Sequence, residues 1–143
     1  MAPLIVLVVV TGLARLAGLA VAWFDSWPHA VAVGLAAMFL LTGSAHFTGP
    51  RRDRLVAMVP PGLPNAAGLV TLTGVLELAG AVGLLVPPTS RVAAACLAVL
   101  LVVMFPANVH AARAGTGVKT MPLPVRTLVQ LVFLVAAAVV VIG

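Results

Sequence analysis

The residue best suited to chemistry is Glu77, the lone acid within an apolar run from Ala66 to Val86. A carboxylate at the centre of a bilayer costs roughly 2.5–3.5 kcal/mol on insertion scales, so such a residue marks a proton site, a ligand site or an ion pair. Thr73, Gly74, Gly80 and Ala81 lie three or four positions from it and share its helix face. The opposite face carries Leu72, Val75, Leu76 and Val82. Small faces let helices approach closely in lipid, so Glu77 is expected to point into a bundle.

Four further polar residues gather toward one end of the apolar runs: His46, Asn108, His110 and Gln130. With Glu77 above them they form a candidate ligand site, a cavity opening to the cytoplasm or the inner leaflet. The competing expectation is a set of interhelical hydrogen bonds and interfacial caps. Arg15 is the second buried-charge candidate. It lies ~16 Å along its run from Leu4, and Glu77 lies ~15 Å along its own from Ala67. Both runs point the same way, which puts both charges near the midplane and predicts an Arg15–Glu77 ion pair. Alternatively Arg15 snorkels to an interface, and Glu77 is protonated or bonded to helix backbone. No metal site is expected, because counting along the helices puts Glu77 a turn or two deeper than His46 and His110. The sequence contains no Ser-His-Asp set, phosphate loop or nucleotide fingerprint, and catalytic residues stay unassigned.

These residues sit in a chain of 143 residues that is 63% hydrophobic and only 8% charged. Soluble domains carry about 25% charged residues, so the class is an integral membrane protein. The net charge of +5 falls in short connections between apolar runs. There it orients the protein in the membrane, and nucleic acid is not an expected partner. Cys96 is the single cysteine, which excludes an internal disulfide; its place in an apolar run predicts buried, inert packing.

Five runs are expected to span the membrane as one all-α domain over residues 1–143: about 4–24, 30–47, 66–86, 91–110 and 124–143. Pro28 suits the first turn of the second helix. Residues 50–64 hold an apolar segment too short to span, closed off by Pro60, Pro61 and Pro64, which reads as interfacial or re-entrant. Pro106 should kink the fourth helix. The connection after it holds Arg113, Gly115, Gly117 and Lys119. Numbering the connections alternately puts Arg51, Arg52, Arg54, Arg113, Lys119 and Arg126 on the side of the N-terminus and only Arg91 on the other. The basic side is cytoplasmic, which predicts an inside N-terminus and an outside C-terminus.

Five stretches, in order and spacing, resemble the DoxX-like membrane proteins: Gly43-Ser44-Ala45-His46-Phe47, Met58-Val59-Pro60-Pro61, the segment Thr73 to Ala81, Phe105-Pro106-Ala107-Asn108, and Pro124 to Gln130. Together they cover roughly residues 35–140. The resemblance implies a four-helix core, with the first span as an N-terminal addition, and carries His46, Glu77 and Asn108 on motif positions. It also implies a membrane subunit or scaffold associated with a redox or oxidative-stress system, quinone being the one cofactor such a family suggests. The chain itself shows no redox centre, so none is predicted. The alternative is a binding protein for a small hydrophobic ligand or quinone in a cavity lined by His46, Glu77 and Asn108. Expected partners are the lipid bilayer, a membrane or redox partner protein, and a second copy of the chain.

Overall fold

The computed structural model describes residues 1–113 and 121–143. Among these residues there are six α-helices and no strand: α1 (Ala2–Ala17), α2 (Trp27–Ala45), α3 (Gly49–Met58), α4 (Ala66–Leu85), α5 (Ser90–Arg113) and α6 (Leu123–Ile142). Gly115, Gly117 and Lys119 of the second long connection lie outside the described residues. Four helices, α2, α4, α5 and α6, are long and apolar enough to cross a membrane. The protein is therefore a helical bundle suited to a lipid bilayer.

α2 lies at the centre. It packs against α1, α4 and α6, while α5 joins α4 to α6 and the short α3 lies across α4 and α5. Leu35, Met38 and Phe39 of α2 and Leu84 of α4 are the largest fully buried side chains. Local sequence explains the helix ends. Ser26 caps α2 by accepting from the His29 amide, with Pro28 in the first turn. Asn65 adopts a left-handed conformation (φ 51°), which asparagine tolerates, and caps α4 by accepting from the Gly68 amide at 3.1 Å. α3 starts with Pro50 in its first turn and stops at Met58, with Val59 extended before Pro60. Residues 50–64 thus form a short helix, four of whose first six residues are charged, followed by a turn.

The first apolar run differs from its sequence expectation. α1 has 16 residues and ends at Ala17, not near Phe24. The chain turns at Gly18, passes through an extended Val21 and forms a single 3-10 turn at Ala22–Phe24. Gly18 permits this return, since a Cβ there would lie 2.8 Å from the Phe24 carbonyl oxygen. The helix alone is ~24 Å long, short of the ~30 Å hydrocarbon core.

Cys96 also departs from expectation: it is exposed, on the outer surface of α5. In an apolar helix of a bilayer protein the outer face is as hydrophobic as the inner, so composition cannot assign a side.

Candidate functional site

Glu77 faces inward, with only 4% of its surface accessible, while Leu72, Val75, Leu76 and Val82 lie on the outer face of α4. Its partners come from α2. Thr42 Oγ1 donates to Glu77 Oε2. His46 Nε2 lies 3.4 Å from Glu77 Oε1. The contact exists because the backbones of α2 and α4 pass close together. A Cβ on Gly74 would stand 2.5 Å from His46 Cβ, and one on Gly43 would stand 3.2 Å from Glu77 Cβ.

The expected Arg15–Glu77 pair is therefore corrected. Arg15 packs at the other end of α2, where Nη1 donates to the Phe24 carbonyl at 3.1 Å and meets Asp25 Oδ1 at 3.4 Å. Its guanidinium carbon lies 5.0 Å from the centre of the Trp27 ring. The long side chain reaches back along its own helix to the polar connection, as snorkelling arginines do. The depth count is corrected too: His46 is not a turn or two away from Glu77 but in contact with it.

Hydrogen-bond chemistry restricts the protons of this pair. The Val70 carbonyl can only accept, and His46 Nδ1 lies 2.7 Å from it, so Nδ1 carries a proton and donates. Thr73 Oγ1 lies 3.2 Å from the same nitrogen. Two lone-pair atoms 3.4 Å apart repel, so the contact between Nε2 and the Glu77 carboxyl is attractive only with one further proton between them. It sits either on Nε2, giving imidazolium and carboxylate, or on Oε1, giving neutral imidazole and carboxylic acid. Both arrangements have zero net charge, which limits the penalty of burial in a bundle. Within the pair a proton can shift between Nε2 and Oε1 without changing the charge of the bundle.

A cavity of about 390 Å³ opens beside this pair. His46, Glu77, Asn108 and Gln130 all line it, together with Thr42 and Arg126. Sequence had grouped the first four; His110, grouped with them, is not in the lining. Apolar residues from α2, α5 and α6, among them Phe39, Met104 and Phe133, make the rest of the wall, and α3 contributes Arg51, Arg54, Leu55 and Met58. A second, more apolar cavity of about 170 Å³ lies on the other side of His46 and Asn108. Leu55, Met58 and Met104 also line both, so a thin wall of five side chains separates them.

Two features of this site escape a sequence reading. Arg52 was counted only as an orienting charge. Its Nη1 donates to the His46 carbonyl at 2.7 Å, and its Nη2 reaches the Ala67 carbonyl at 3.1 Å and Thr71 Oγ1 at 2.9 Å. It ties the end of α2 to the start of α4 and holds His46 in place. Arg126, also counted as an orienting charge, donates through Nη1 to Asn108 Oδ1. Its Nε is buried and has no partner among the described residues. Pro106 lies inside α5 and leaves the Val102 carbonyl without its helical donor. The adjacent Leu101 carbonyl accepts from Gln130 Nε2 at 2.8 Å. No cluster of three or more metal-ligating side chains occurs among the described residues.

Fold and site together define a small helical membrane protein with a mostly apolar cavity beside a buried histidine–glutamate pair. The chain belongs to a family described as a domain of unknown function (DUF8561), whose model matches residues 35–142. The match starts within α2, so α1 lies outside it. No curated protein matches the chain, and no solved structure does.

Proposed function

We propose that this protein binds a small hydrophobic molecule within the membrane, in the cavity beside His46, Glu77 and Asn108. The observation that carries this reading is the 390 Å³ cavity itself, which reaches a buried titratable pair instead of closing over it. Its volume falls in the range of roughly 300–1,000 Å³ typical of small-molecule sites, and its mostly apolar wall with a few converging polar groups fits that class. The test is extraction of bound small molecules from purified protein, followed by mass spectrometry. The wild type should carry a compound that a Met104→Trp variant, with the cavity filled, does not. Equal extracts from the two would remove the proposal.

The resemblance of the motif stretches to DoxX-like proteins favours a second reading, a subunit or scaffold of a redox or oxidative-stress system with quinone as its ligand. Affinity purification from native membranes should then recover a partner protein. A chain that stays alone, or only with copies of itself, would count against it.

In the same reading the chain crosses the membrane five times, with its N-terminus in the cytoplasm. Support comes from α1: Pro3 lines the cavity beside Arg51 and Arg54, while Arg15 meets Asp25 at the far end, so α1 runs most of the height of the bundle. The excess of basic residues at the cavity end supports the orientation. A reporter fused after Gly143, which lies at the end of the bundle away from the cavity, should behave as external; a cytoplasmic signal would reverse the orientation.

A further inference from the structure

The charges around the cavity do not balance. Its lining carries three guanidinium groups, Arg51, Arg54 and Arg126, against one carboxyl, Glu77. Glu77 is already engaged by His46 and Thr42. Asp53, next to Arg54 in sequence, forms no ion pair among the described residues, and neither do the three arginines. Arg126 uses Nη1 on Asn108. Its Nε is buried without an acceptor, and no bond from Nη2 occurs among the described residues. The Nε–Nη2 edge is a fork that matches the two oxygens of a carboxylate or phosphate. A buried donor left without an acceptor is rare in folded proteins and calls for one. Below these groups the wall is apolar, with Phe39, Leu101 and Phe133.

Resting on the ligand-binding reading above, we propose that the occupant is a single-chain amphiphile with an anionic head, a carboxylate or phosphate monoester. Arg126 takes the head side-on, Arg51 and Arg54 of α3 supply the surrounding positive field, and the chain lies against Phe39 and Phe133. A volume of about 390 Å³, at the lower end of the usual range, favours one chain over two. A neutral carbonyl head, such as that of a quinone, would accept hydrogen bonds but leave the Arg126 charge uncompensated.

The test is displacement of radiolabelled dodecanoate from the full chain in a neutral maltoside detergent, at mildly alkaline pH so that the acid is ionised. Unlabelled dodecanoate and dodecyl phosphate should displace it at concentrations about tenfold or more below those needed for dodecanol, given the strength of charge-assisted hydrogen bonds. In an Arg51→Gln, Arg54→Gln double variant the gap between acid and alcohol should shrink. These two arginines donate no hydrogen bond among the described residues, so an unchanged melting temperature is the expected control. Equal displacement by dodecanol would overturn the anionic assignment while leaving the cavity a ligand site. Absence of saturable binding by acid and alcohol alike would overturn the ligand-binding reading as well. Inorganic phosphate displacing as well as dodecyl phosphate would overturn the amphiphile, since the head alone would then suffice. Phosphatidylglycerol in phosphatidylcholine nanodiscs outcompeting dodecanoate would overturn the single chain and make a membrane lipid the source of the head.

Discussion

Two ion pairs sit at opposite ends of α2, and both are 3.4 Å across. At one end His46 and Glu77 have side chains 4% and 5% exposed. At the other, Arg15 and Asp25 have side chains 27% and 66% exposed. Equal distance does not mean equal energy. The buried pair has lost water, so its stability rests on every remaining partner: Thr42, the Val70 carbonyl and the contact of the two groups with each other. The exposed pair exchanges partners with solvent and contributes about 0–1 kcal/mol. The buried pair also adjoins the cavity, while the exposed one helps hold a connecting turn.

The largest expected effect breaks the buried pair. His46→Ala leaves Glu77 with Thr42 alone and takes the Nδ1 donor from the Val70 carbonyl, which keeps Thr73 Oγ1. It should lower stability by about 3–5 kcal/mol, read as unfolding in mild detergent. Glu77→Gln is milder, because the amide still accepts from Thr42 and can donate to a neutral His46; about 1–3 kcal/mol is expected. If His46→Ala melts like the wild type, the pair is not structural.

The close helix approach comes next. Gly74→Ala sets a Cβ 2.5 Å from His46 Cβ, against a backbone-anchored atom that cannot swing away. Overpacking should remove about 1–3 kcal/mol. Gly49→Ala, with open space around it, is the matched control and should change little. An Arg52→Gln variant should lose about 1–2 kcal/mol, less than a fully buried charged network, since part of it faces solvent. It should also loosen α3, seen as faster proteolysis after Arg54. Unchanged proteolysis would mean that α3 is held by its apolar contacts alone.

The sequence carried the two ends of α2 with unequal clarity. Hydropathy located the long apolar helices, and the small face of α4 pointed Glu77 inward, because both signals are local. Pairing was not local. Depth counted along a helix gives height but not which neighbour lies across, and two charges at one height can face different helices. Arg15 was assigned to Glu77 on height alone, yet α1 packs on α2, and its arginine returns to Asp25. His46 was counted a turn or two from Glu77 in depth because it ends its helix. What buries it is the α2–α4 crossing at Gly43 and Gly74, a three-dimensional fact of which only the glycines were visible. Arg52 and Arg126 were counted as charges, since nothing along the chain shows the carbonyl and amide oxygens that they meet. His46, Glu77, Asn108 and Gln130 line one cavity while His110 does not, because position along a helix fixes height well and azimuth not at all.

The smallest effect is the one that separates the two pairs most cleanly. Arg15→Met removes a partly exposed pair and a cation–π contact with Trp27 but keeps the apolar stem, so about 0–1 kcal/mol is expected. The informative quantity is coupling. In a double-mutant cycle, Arg15→Met with Glu77→Gln should be additive within about 0.5 kcal/mol, because the two residues share no partner. The cycle of His46→Gln with Glu77→Gln should give a coupling of about 0.5–3 kcal/mol. Added salt sharpens the contrast: it should reduce the Arg15→Met effect by screening and leave the His46–Glu77 coupling almost unchanged. An Arg15→Met variant that rescues Glu77→Gln would reverse the assignment and return Arg15 to the centre of the bundle. Additivity there, with coupling at His46, confines the buried charge to α2 and α4 and leaves α1 as an apolar brace.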